Sequence, residues 1–395
     1  CVKVSSPLRN RVEMRINMKN KPKAGILSMH RIYNYGSFLQ AYGLKEILKE
    51  LGCEVEFADY HPGECLIKAD GGTGIKRKLS KVSETLRYNA SLKDKIKFIK
   101  YKKNYAANNY PYLGIDDKMN YNPKVDVLVI GSDEVFNCVQ NNTNVGFAPE
   151  LFGVGNRAGK LITYAASCGN TTYDKLVKYK VKDKVAEWLK AFDDISVRDN
   201  NTGEVVKKLI GKEPVYNLDP VLAYDYIGKC DKIKKEITDK NYMILYGYSG
   251  RFSKGECKKI RAYADRRGLK IYCIGGIQNC CDKFIDCSPF DVIAYFKNSS
   301  CVVTDTFHGT ILSVITHRRF VSLVRNSGYG NSQKLTDLLI RLKLEDRIAE
   351  SLEDIDNILA KAVDYTDTDM IIKEERKNTY DYLKNAIGRN GDLCE

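Results

Sequence analysis

The 395-residue sequence is poor in proline, histidine and tryptophan, with nine, four and one of them, and it has no long apolar run. Few prolines and 43% hydrophobic residues exclude a disordered or low-complexity chain and indicate a globular protein. No stretch approaches the roughly 18 apolar residues that a membrane-spanning helix requires. No apolar segment with a small-residue cleavage site opens the sequence, so we predict no secretory signal and a cytoplasmic protein.

The sequence also lacks any CxxC pair, although it contains 13 cysteines. Their number is odd and many of them lie in apolar runs, which is typical of reduced, buried thiols in a reducing compartment. The adjacent Cys280 and Cys281 have no second pair spaced to complete a zinc site, which favours a structural role for them. We therefore predict no metal site and no bound cofactor.

The net charge of +14 is concentrated in one segment, Lys76–Lys103. This segment contains eleven Lys or Arg against Glu84 and Asp94, a net charge of +9. Its apolar residues recur at helical spacing, so it is either a solvated helical face or a surface that contacts an anionic membrane peripherally, at its inner face. No DNA- or RNA-binding motif accompanies the charge, and we predict no nucleic-acid partner.

Short apolar runs alternate with amphipathic helical stretches along the chain. Lys23–Met29 predicts a buried strand, Ser37–Leu51 a helix and Glu54–Ala58 a second strand, which is the strand–helix–strand order of a parallel sheet. The alternation continues with predicted strands at Val125–Ile130, Lys160–Ala166, Asp194–Val197 and Pro214–Asn217, and with predicted helices at Val181–Ala191 and Asn201–Leu209.

The alternation restarts after a charged, linker-like stretch at Lys229–Asp239. Predicted strands follow at Tyr242–Tyr246, Lys270–Ile274, Cys301–Thr304 and Arg319–Val324, with predicted helices at Lys254–Arg267, Ser288–Phe296, from Gly309, from Ser332 and at Asp369–Ala386. This pattern predicts an α/β protein of two Rossmann-like doubly wound domains that face a cleft. The predicted units are a poorly packed extension at 1–20, a first domain at 21–228, a linker at 229–240, a second domain at 241–350 and a C-terminal helical segment at 351–395.

Ligands bind at the carboxyl ends of the strands in such sheets, and four predicted strand ends carry unusual polar residues. After the first strand, the turn at Asn34 and Gly36 precedes a helix, so its amides either face an anion or belong to an ordinary loop. After the strand Val125–Ile130, Asp133 either orients a sugar hydroxyl and accepts its proton or caps the next helix.

The third strand end carries Arg198, which follows Asp194–Val197 directly. Its planar guanidinium matches a phosphate or a carboxylate with two parallel hydrogen bonds. The alternative is a salt bridge to Asp199 or Asp219. Either role places a cation at the mouth of the predicted cleft.

The fourth strand end is the segment Val302–Ser313, VVTDTFHGTILS. A short strand runs into Thr304 and Thr306, and then His308 and Gly309 open a helix. The positive end of that helix favours a bound anion, and a histidine beside it can transfer a proton near neutral pH. A purely structural histidine is the alternative.

Together these segments resemble the polysaccharide pyruvyl transferase family over about Lys23–Arg347. The shared features are NYGS after the opening strand, the GSD loop, SVRD, LDP at Leu218–Pro220, TDTFHGT, and NSQKLTDLLIRLKLEDR at Asn331–Arg347. The resemblance implies a fold like that of the two-domain GT-B-type glycosyltransferases. It also implies transfer of pyruvate from phosphoenolpyruvate to a sugar diol, as a ketal, in polysaccharide or exopolysaccharide biosynthesis, with release of phosphate.

The resemblance further implies roles for individual residues. The donor-site histidine falls on His308, the predicted general acid. The donor-site arginine falls on Arg198, and the aspartate that orients or deprotonates the acceptor hydroxyl falls on Asp133. The other predicted substrate-binding residues are Lys334, Thr304, Thr306, Gly309, Thr310, Asn34 and Gly36.

Two positions depart from the family pattern. Some relatives carry an arginine where this chain has Thr306, and many carry one where it has Lys334, which keeps the charge but not the bidentate geometry. Two other functions therefore stay open: a nucleotide-sugar-dependent glycosyltransferase of the same architecture, and a homologue with weakened catalysis that binds phosphoenolpyruvate. The predicted acceptor is a sugar, an oligosaccharide or a lipid-linked glycan.

Overall fold

The computed structural model describes residues 21–67, 88–325 and 332–388. The predicted extension at 1–20 and residues 76–87 of the basic segment lie outside these ranges. Within them, twelve strands form two six-stranded sheets, and every pairing between named strands is parallel. The predicted α/β class with two Rossmann-like sheets is confirmed.

The first sheet is built from the strands of the first half of the chain. They are β1 (Lys23–Leu27), β2 (Glu54–Ala58), β3 (Val127–Asp133), β4 (Lys160–Ala166), β5 (Ser196–Val197) and β6 (Val215–Tyr216). Their order is β2-β1-β3-β4-β5-β6. β3 and β4 are buried along their whole length, as expected for central strands of a parallel sheet covered on both faces.

Helices connect these strands and cover the sheet. They are α1 (Tyr35–Glu50), α2 (Leu92–Leu113), α3 (Tyr173–Lys178), α4 (Lys182–Lys190), α5 (Asn200–Ile210), α6 (Pro220–Ala223) and α7 (Tyr226–Lys229), with a 3-10 turn at Pro149–Phe152. Asn34 caps the start of α1, and its side chain accepts a hydrogen bond from the Gly36 amide. Ser91 caps the start of α2, and Gly114, which has a left-handed backbone with φ of 77°, caps its end.

The second sheet is built from the strands of the second half. They are β7 (Tyr242–Tyr246), β8 (Lys270–Ile274), β9 (Lys283–Phe284), β10 (Val302–Thr304), β11 (Phe320–Leu323) and β12 (Ile348–Ala349). Their order is β12-β11-β10-β7-β8-β9. β7 and β10 lie side by side at the centre, so their carboxyl ends meet beside the start of the helix that follows β10.

The remaining helices are α8 (Lys254–Arg266), α9 (Pro289–Asn298), α10 (Phe307–Ile315), α11 (Ser332–Arg341), α12 (Ile355–Ala360) and α13 (Thr366–Gly388), with a 3-10 turn at Glu345–Arg347. α13 returns to the first sheet, where the Tyr382 hydroxyl donates to the Thr163 carbonyl at 2.8 Å. Lys160 Nζ in turn donates to the Ala386 carbonyl at 2.7 Å. The C-terminal helix therefore ties the two halves together, while the predicted domain boundaries stay predictions.

The structure corrects several predicted elements. β3 continues past the predicted end at Ile130, so Asp133 is its last residue and does not lie beyond it. α10 begins at Phe307, two residues before the predicted start at Gly309. The two-residue strands β9 and β12 were missed, because two residues show no periodicity.

Two features are absent from the described residues. No helix in these ranges is long and apolar enough to cross a membrane. No group of three or more histidine, cysteine or acidic side chains within them is arranged to hold a metal ion. The cysteines of the described chain are free.

Candidate functional site

A cleft of about 610 Å³ lies where the carboxyl ends of the two sheets meet. Both halves of the chain contribute charged side chains to it: Asp133, Glu134, Arg198, Arg251, His308 and Lys334. Ligands generally bind at the carboxyl ends of the strands in parallel sheets, and the cleft lies at these ends in both sheets.

Arg198 follows β5, and its buried guanidinium is held by two carboxylates. Nη1 donates to Asp219 Oδ2 at 2.6 Å, and Nη2 donates to Asp133 Oδ1 at 3.4 Å. Burial disfavours the charged guanidinium, but Asp219 and Asp133 outweigh it and raise the pKa of Arg198. The predicted alternative of a salt bridge to Asp219 is thus present. Asp199 instead caps α5 by accepting the Thr202 amide at 2.9 Å.

Asp133 lies at the cleft with both carboxylate oxygens bonded. Its Oδ2 accepts the Ser37 hydroxyl at 2.7 Å, and its Oδ1 accepts the Glu134 amide at 2.9 Å. The predicted alternative of a helix cap is wrong, because no helix of the described chain starts there. Burial alone would raise the pKa of Asp133, but the charges of Arg198 and His308 lower it. The side chain is therefore a carboxylate acceptor facing the cleft.

His308 lies in the first turn of α10, against the start of α1. A Cβ atom on Gly36 would come within 2.2 Å of the imidazole Cγ, so only glycine at position 36 allows this contact. His308 Nε2 is 3.6 Å from Asp219 Oδ2, which suits an ion pair but is too long for a hydrogen bond. Nε2 is buried and has no hydrogen-bond partner among the described residues. The contact with Gly36 therefore fixes the ring, while its Nε2 makes no hydrogen bond within the described chain.

A second charged pair joins the two halves across the cleft. Lys334 on α11 donates from Nζ to Glu134 Oε1, and Asn137 Nδ2 donates to Glu134 Oε2 at 2.8 Å. Burial raises the pKa of Glu134, but Lys334 outweighs it and lowers that pKa. Lys334 also lies 5.7 Å from the centre of the Phe307 ring. The predicted donor-binding lysine is thus in contact with a carboxylate that the sequence analysis did not select.

Of the predicted binding residues around the start of α10, Thr306 lines the cleft, whereas Thr304, Gly309 and Thr310 lie behind its surface. Thr306 caps α10 by accepting the Gly309 amide at 3.0 Å, and the Thr310 amide bonds to the Thr306 carbonyl at 3.1 Å. The Thr310 hydroxyl contacts Ser322, and Thr304 is fully buried beneath the cap. Thr304, Gly309 and Thr310 have hydrogen-bond partners within the protein, and their roles in binding the donor stay predictions.

The two predicted residues of the first turn have different positions. Asn34 lines the cleft, and its Nδ2 donates to the Tyr248 hydroxyl across the domain junction at 2.7 Å. Gly36 does not line the cleft but supports His308 from behind. The roles of both residues in binding substrate stay predictions.

A family model described as polysaccharide pyruvyl transferase matches residues 34–327. The chain belongs to the polysaccharide pyruvyl transferase family. The resemblance seen in the sequence is confirmed, and this member is a transferase that acts on a polysaccharide or other glycan acceptor. Among curated proteins, none matches the chain.

The chain is similar over most of its length to several solved structures, at low sequence identity. The S. aureus MnaA–UDP co-structure has 11% identity and a TM-score of 0.49, over 94% of this chain and 97% of that one. Methanocaldococcus jannaschii UDP-GlcNAc 2-epimerase, in complex with UDP-GlcNAc and UDP, has 7% identity and a TM-score of 0.46, over 90% and 99%. A Thermobaculum terrenum O-GlcNAc transferase mutant has 12% and 0.40, over 94% and 66%. Scores this low say nothing about the reaction.

This pyruvyl transferase family member has site residues that the sequence analysis did not select. Tyr248 and Arg251 follow β7, and Arg251 Nε donates to Asp305 in the loop before α10. The rule of strand carboxyl ends applies to β7 as well and would have found them. Glu134 directly follows Asp133, and Asp219 lies in the LDP motif, where it appeared only as a salt-bridge partner.

Proposed function

We propose that the chain transfers the pyruvate unit of phosphoenolpyruvate to two hydroxyls of a sugar, forming a cyclic ketal and releasing phosphate. The observation that carries this proposal is the His308 imidazole at the cleft, with Nε2 lacking a hydrogen-bond partner in the described chain and lying 3.6 Å from Asp219 Oδ2. A buried polar group without a partner requires an explanation, and a substrate that bonds to Nε2 is the explanation that this proposal offers.

The reaction requires one acid and two hydroxyl nucleophiles. Protonated His308 gives its proton to C3 of phosphoenolpyruvate, and C2 becomes an oxocarbenium ion that the first hydroxyl attacks. The C2–O bond to phosphate then breaks, and the second hydroxyl closes the ketal on C2. The two hydroxyls release two protons, of which one restores His308 and the other leaves on phosphate. A positioned acid of this kind contributes about 10²- to 10⁴-fold to the rate.

The donor carries a phosphate and a carboxylate, and three cations line the cleft to receive them. Lys334 and Arg251 come from the second half of the chain, and Arg198 comes from the first. Arg251 is bound to Asp305, the residue before Thr306. We therefore assign to Arg251 the charge that some relatives place at the position of Thr306. Arg198 acts chiefly through its field, because Asp219 and Asp133 already occupy its guanidinium.

Asp133 orients the acceptor hydroxyl. Its pKa is held below the ordinary value by Arg198 and His308 in spite of burial, so it is a weak base. A weak base polarises a hydroxyl through a hydrogen bond but holds its proton only briefly. The proton of the first hydroxyl therefore passes through Asp133 rather than staying on it.

An adjoining groove of about 1140 Å³ suits the glycan acceptor. Ile32, Tyr33 and Tyr248 line both the groove and the cleft, so the two spaces are continuous. Tyr33 is 41% exposed and stacks on Tyr105 with ring centres 5.0 Å apart, which presents a rigid aromatic face. Aromatic faces beside amide side chains such as Asn142 match the apolar faces and hydroxyls of a sugar.

Thermal stability with added ligands tests the donor. A ligand at about 100 times its dissociation constant adds about 2.7 kcal/mol. We expect phosphoenolpyruvate to raise the melting temperature and UDP-galactose to leave it unchanged. Arg251→Gln should weaken the phosphoenolpyruvate shift and keep the fold, because Arg325 still binds Asp305 at 2.7 Å. Arg267→Gln, at the exposed end of α8, is the matched control.

Two other outcomes would contradict the proposal. A shift with UDP-galactose alone would identify a nucleotide-sugar transferase. A phosphoenolpyruvate shift without phosphate release, with galactose, mannose, glucose and their β-methyl glycosides as acceptors, would identify a binding homologue with weakened catalysis. Arg198→Ala is unsuitable as a first variant, because it leaves two buried carboxylates without their cation.

A further inference from the structure

Helix α2 carries the described part of the basic segment, and one of its faces is fixed against both halves of the molecule. Phe98 and Tyr101 pack on the Phe284 ring of β9, with ring centres 5.2 and 5.7 Å apart. On the side of the first half, the Tyr105 hydroxyl donates to the Asn34 carbonyl at 2.8 Å. These contacts determine which side of α2 faces outward.

The outward face of α2 is unexpectedly apolar. Leu92, Ile96 and Ile99 are 66%, 47% and 36% exposed. Their spacing of four and three residues puts them in one stripe, opposite the buried Phe98 and Tyr101. A solvated helix face is normally polar, so a stripe of three large exposed side chains indicates a surface that binds something apolar.

Lysines flank this stripe on both sides. At 3.6 residues per turn, Lys93 and Lys100 fall along one edge and Lys95 falls along the other. Lys102 lies on the same edge as Lys95, but its Nζ donates to the Tyr33 carbonyl at 3.2 Å. α2 contains six lysines against Asp94 alone among acidic residues, a net charge of +5. An apolar stripe between lysine rows matches a bilayer surface, where apolar side chains enter the acyl boundary and ammonium groups contact anionic head groups.

We propose that α2 docks the protein peripherally on an anionic phospholipid bilayer, with the stripe Leu92–Ile96–Ile99 inserted at the head-group boundary. Ile99 and Lys102 also line the groove beside the cleft, so this docking turns the mouth of the groove toward the lipid. A consequence that rests on the proposed function is that the acceptor glycan is attached to a membrane lipid. The docking itself is independent of the reaction.

Vesicle flotation of the full chain tests the docking. We expect binding to vesicles of equal parts phosphatidylglycerol and phosphatidylcholine, and none to phosphatidylcholine alone. Raising salt from about 0.1 M to about 1 M should release the protein, because the screening length falls from about 10 Å to about 3 Å. Leu92→Ser and Ile96→Ser should each weaken binding about tenfold, and Lys93→Gln and Lys100→Gln about fivefold each.

A second long helix provides matched controls. Met370 on α13 is 66% exposed, as Leu92 is, and Lys373 and Lys377 are exposed on the same helix. Met370→Ser and Lys373→Gln/Lys377→Gln should leave vesicle binding unchanged. Absence of binding to phosphatidylglycerol vesicles, or equal loss in the α2 and α13 variants, would overturn the proposal. So would a change of oligomeric state in Leu92→Ser/Ile96→Ser, which would mean that a second copy covers the stripe. Vesicle binding and oligomeric state do not depend on phosphoenolpyruvate. The docking proposal is therefore tested independently of the transfer reaction.

Discussion

The two sides of the cleft differ in how their charged side chains are paired. On the first-half side, Arg198 lies between Asp219 and Asp133, so each buried charge has an opposite charge within hydrogen-bond range. On the second-half side, His308 presents an Nε2 that has no hydrogen-bond partner in the described chain. Buried opposite charges in contact are expensive to separate and hold geometry, although Arg198 Nε, like His308 Nε2, has no hydrogen-bond partner in the described chain. We infer that one side shapes the site and the other reacts.

The largest expected effect is the loss of turnover when His308, on the second-half side of the cleft, is replaced. His308→Gln should lower turnover by about 10²- to 10⁴-fold, because it removes the proton donor to C3. It should lower the melting temperature less than Arg198→Met does, because Nε2 has no hydrogen bond to lose and Arg198 still pairs with Asp219. His317→Gln, beyond the far end of α10 and paired with the exposed Asp369, is the control and should keep full turnover. Near-normal phosphate release by His308→Gln would remove the acid assignment.

The second effect should appear in stability. Arg198→Met leaves Asp219 and Asp133 buried without their cation, and we expect the free energy of unfolding to fall by about 3–5 kcal/mol in urea titrations. Arg266→Met breaks an exposed pair with Asp356 and should cost less than about 1 kcal/mol. Part of the loss should return in Arg198→Met/Asp219→Asn. Equal stability of the two single variants would mean that the first-half side is no scaffold.

The third effect links the two sides, because Gly36 of the first half supports the histidine of the second. Gly36→Ala places a Cβ within 2.2 Å of the His308 ring, so the ring must move. A displacement of about 1 Å can cost about 10²-fold in turnover, with a stability loss of about 1–3 kcal/mol. Gly388→Ala, with no atom within 4 Å of the added Cβ, is the matched control. Unchanged turnover in Gly36→Ala would show that the position of the ring is not limiting.

The smallest expected effect is the change in the free energy of unfolding with pH that the ionisation of Asp219 causes. Burial would raise the pKa of Asp219, but the charges of His308 and Arg198 lower it from 3.8 to about 2. A folded-state pKa below the unfolded value means stabilisation that is complete above about pH 4 and lost as the pH falls through 2. The loss should be roughly 2 kcal/mol. Urea midpoints between about pH 5 and pH 2 should fall less in Arg198→Met/Asp219→Asn than in the wild type; parallel curves would argue against this ionisation.

Much of the site followed from one sequence rule. Asp133, Arg198 and His308 were selected because each lies at or near the carboxyl end of an apolar strand, and all three line one cleft. Arg251 was missed because it lies in the loop after β7, which was not among the four strand ends selected. Thr304 and Thr310 were selected for their neighbours in sequence, yet their side chains point into the packed base of α10.

The role of Arg198 could not be decided from the sequence. Both of its possible roles, donor contact and ion pair, follow equally well from a guanidinium at a strand end. Only the buried position of Asp219, 21 residues later in the chain, decides between them. The pairing of Lys334 with Glu134 spans 200 residues and has no local signature at all.

The order of apolar runs and helical stretches, together with the motif series, was enough to establish two parallel sheets and the pyruvyl transferase family. These depend on local periodicity and on backbone chirality, which neighbouring residues determine. The tertiary structure decided which polar atoms have hydrogen-bond partners within the protein and which have none. The same holds for the outward direction of the Leu92–Ile96–Ile99 stripe. Burial and long-range pairing set both outcomes, and they arise only when segments distant in sequence pack together.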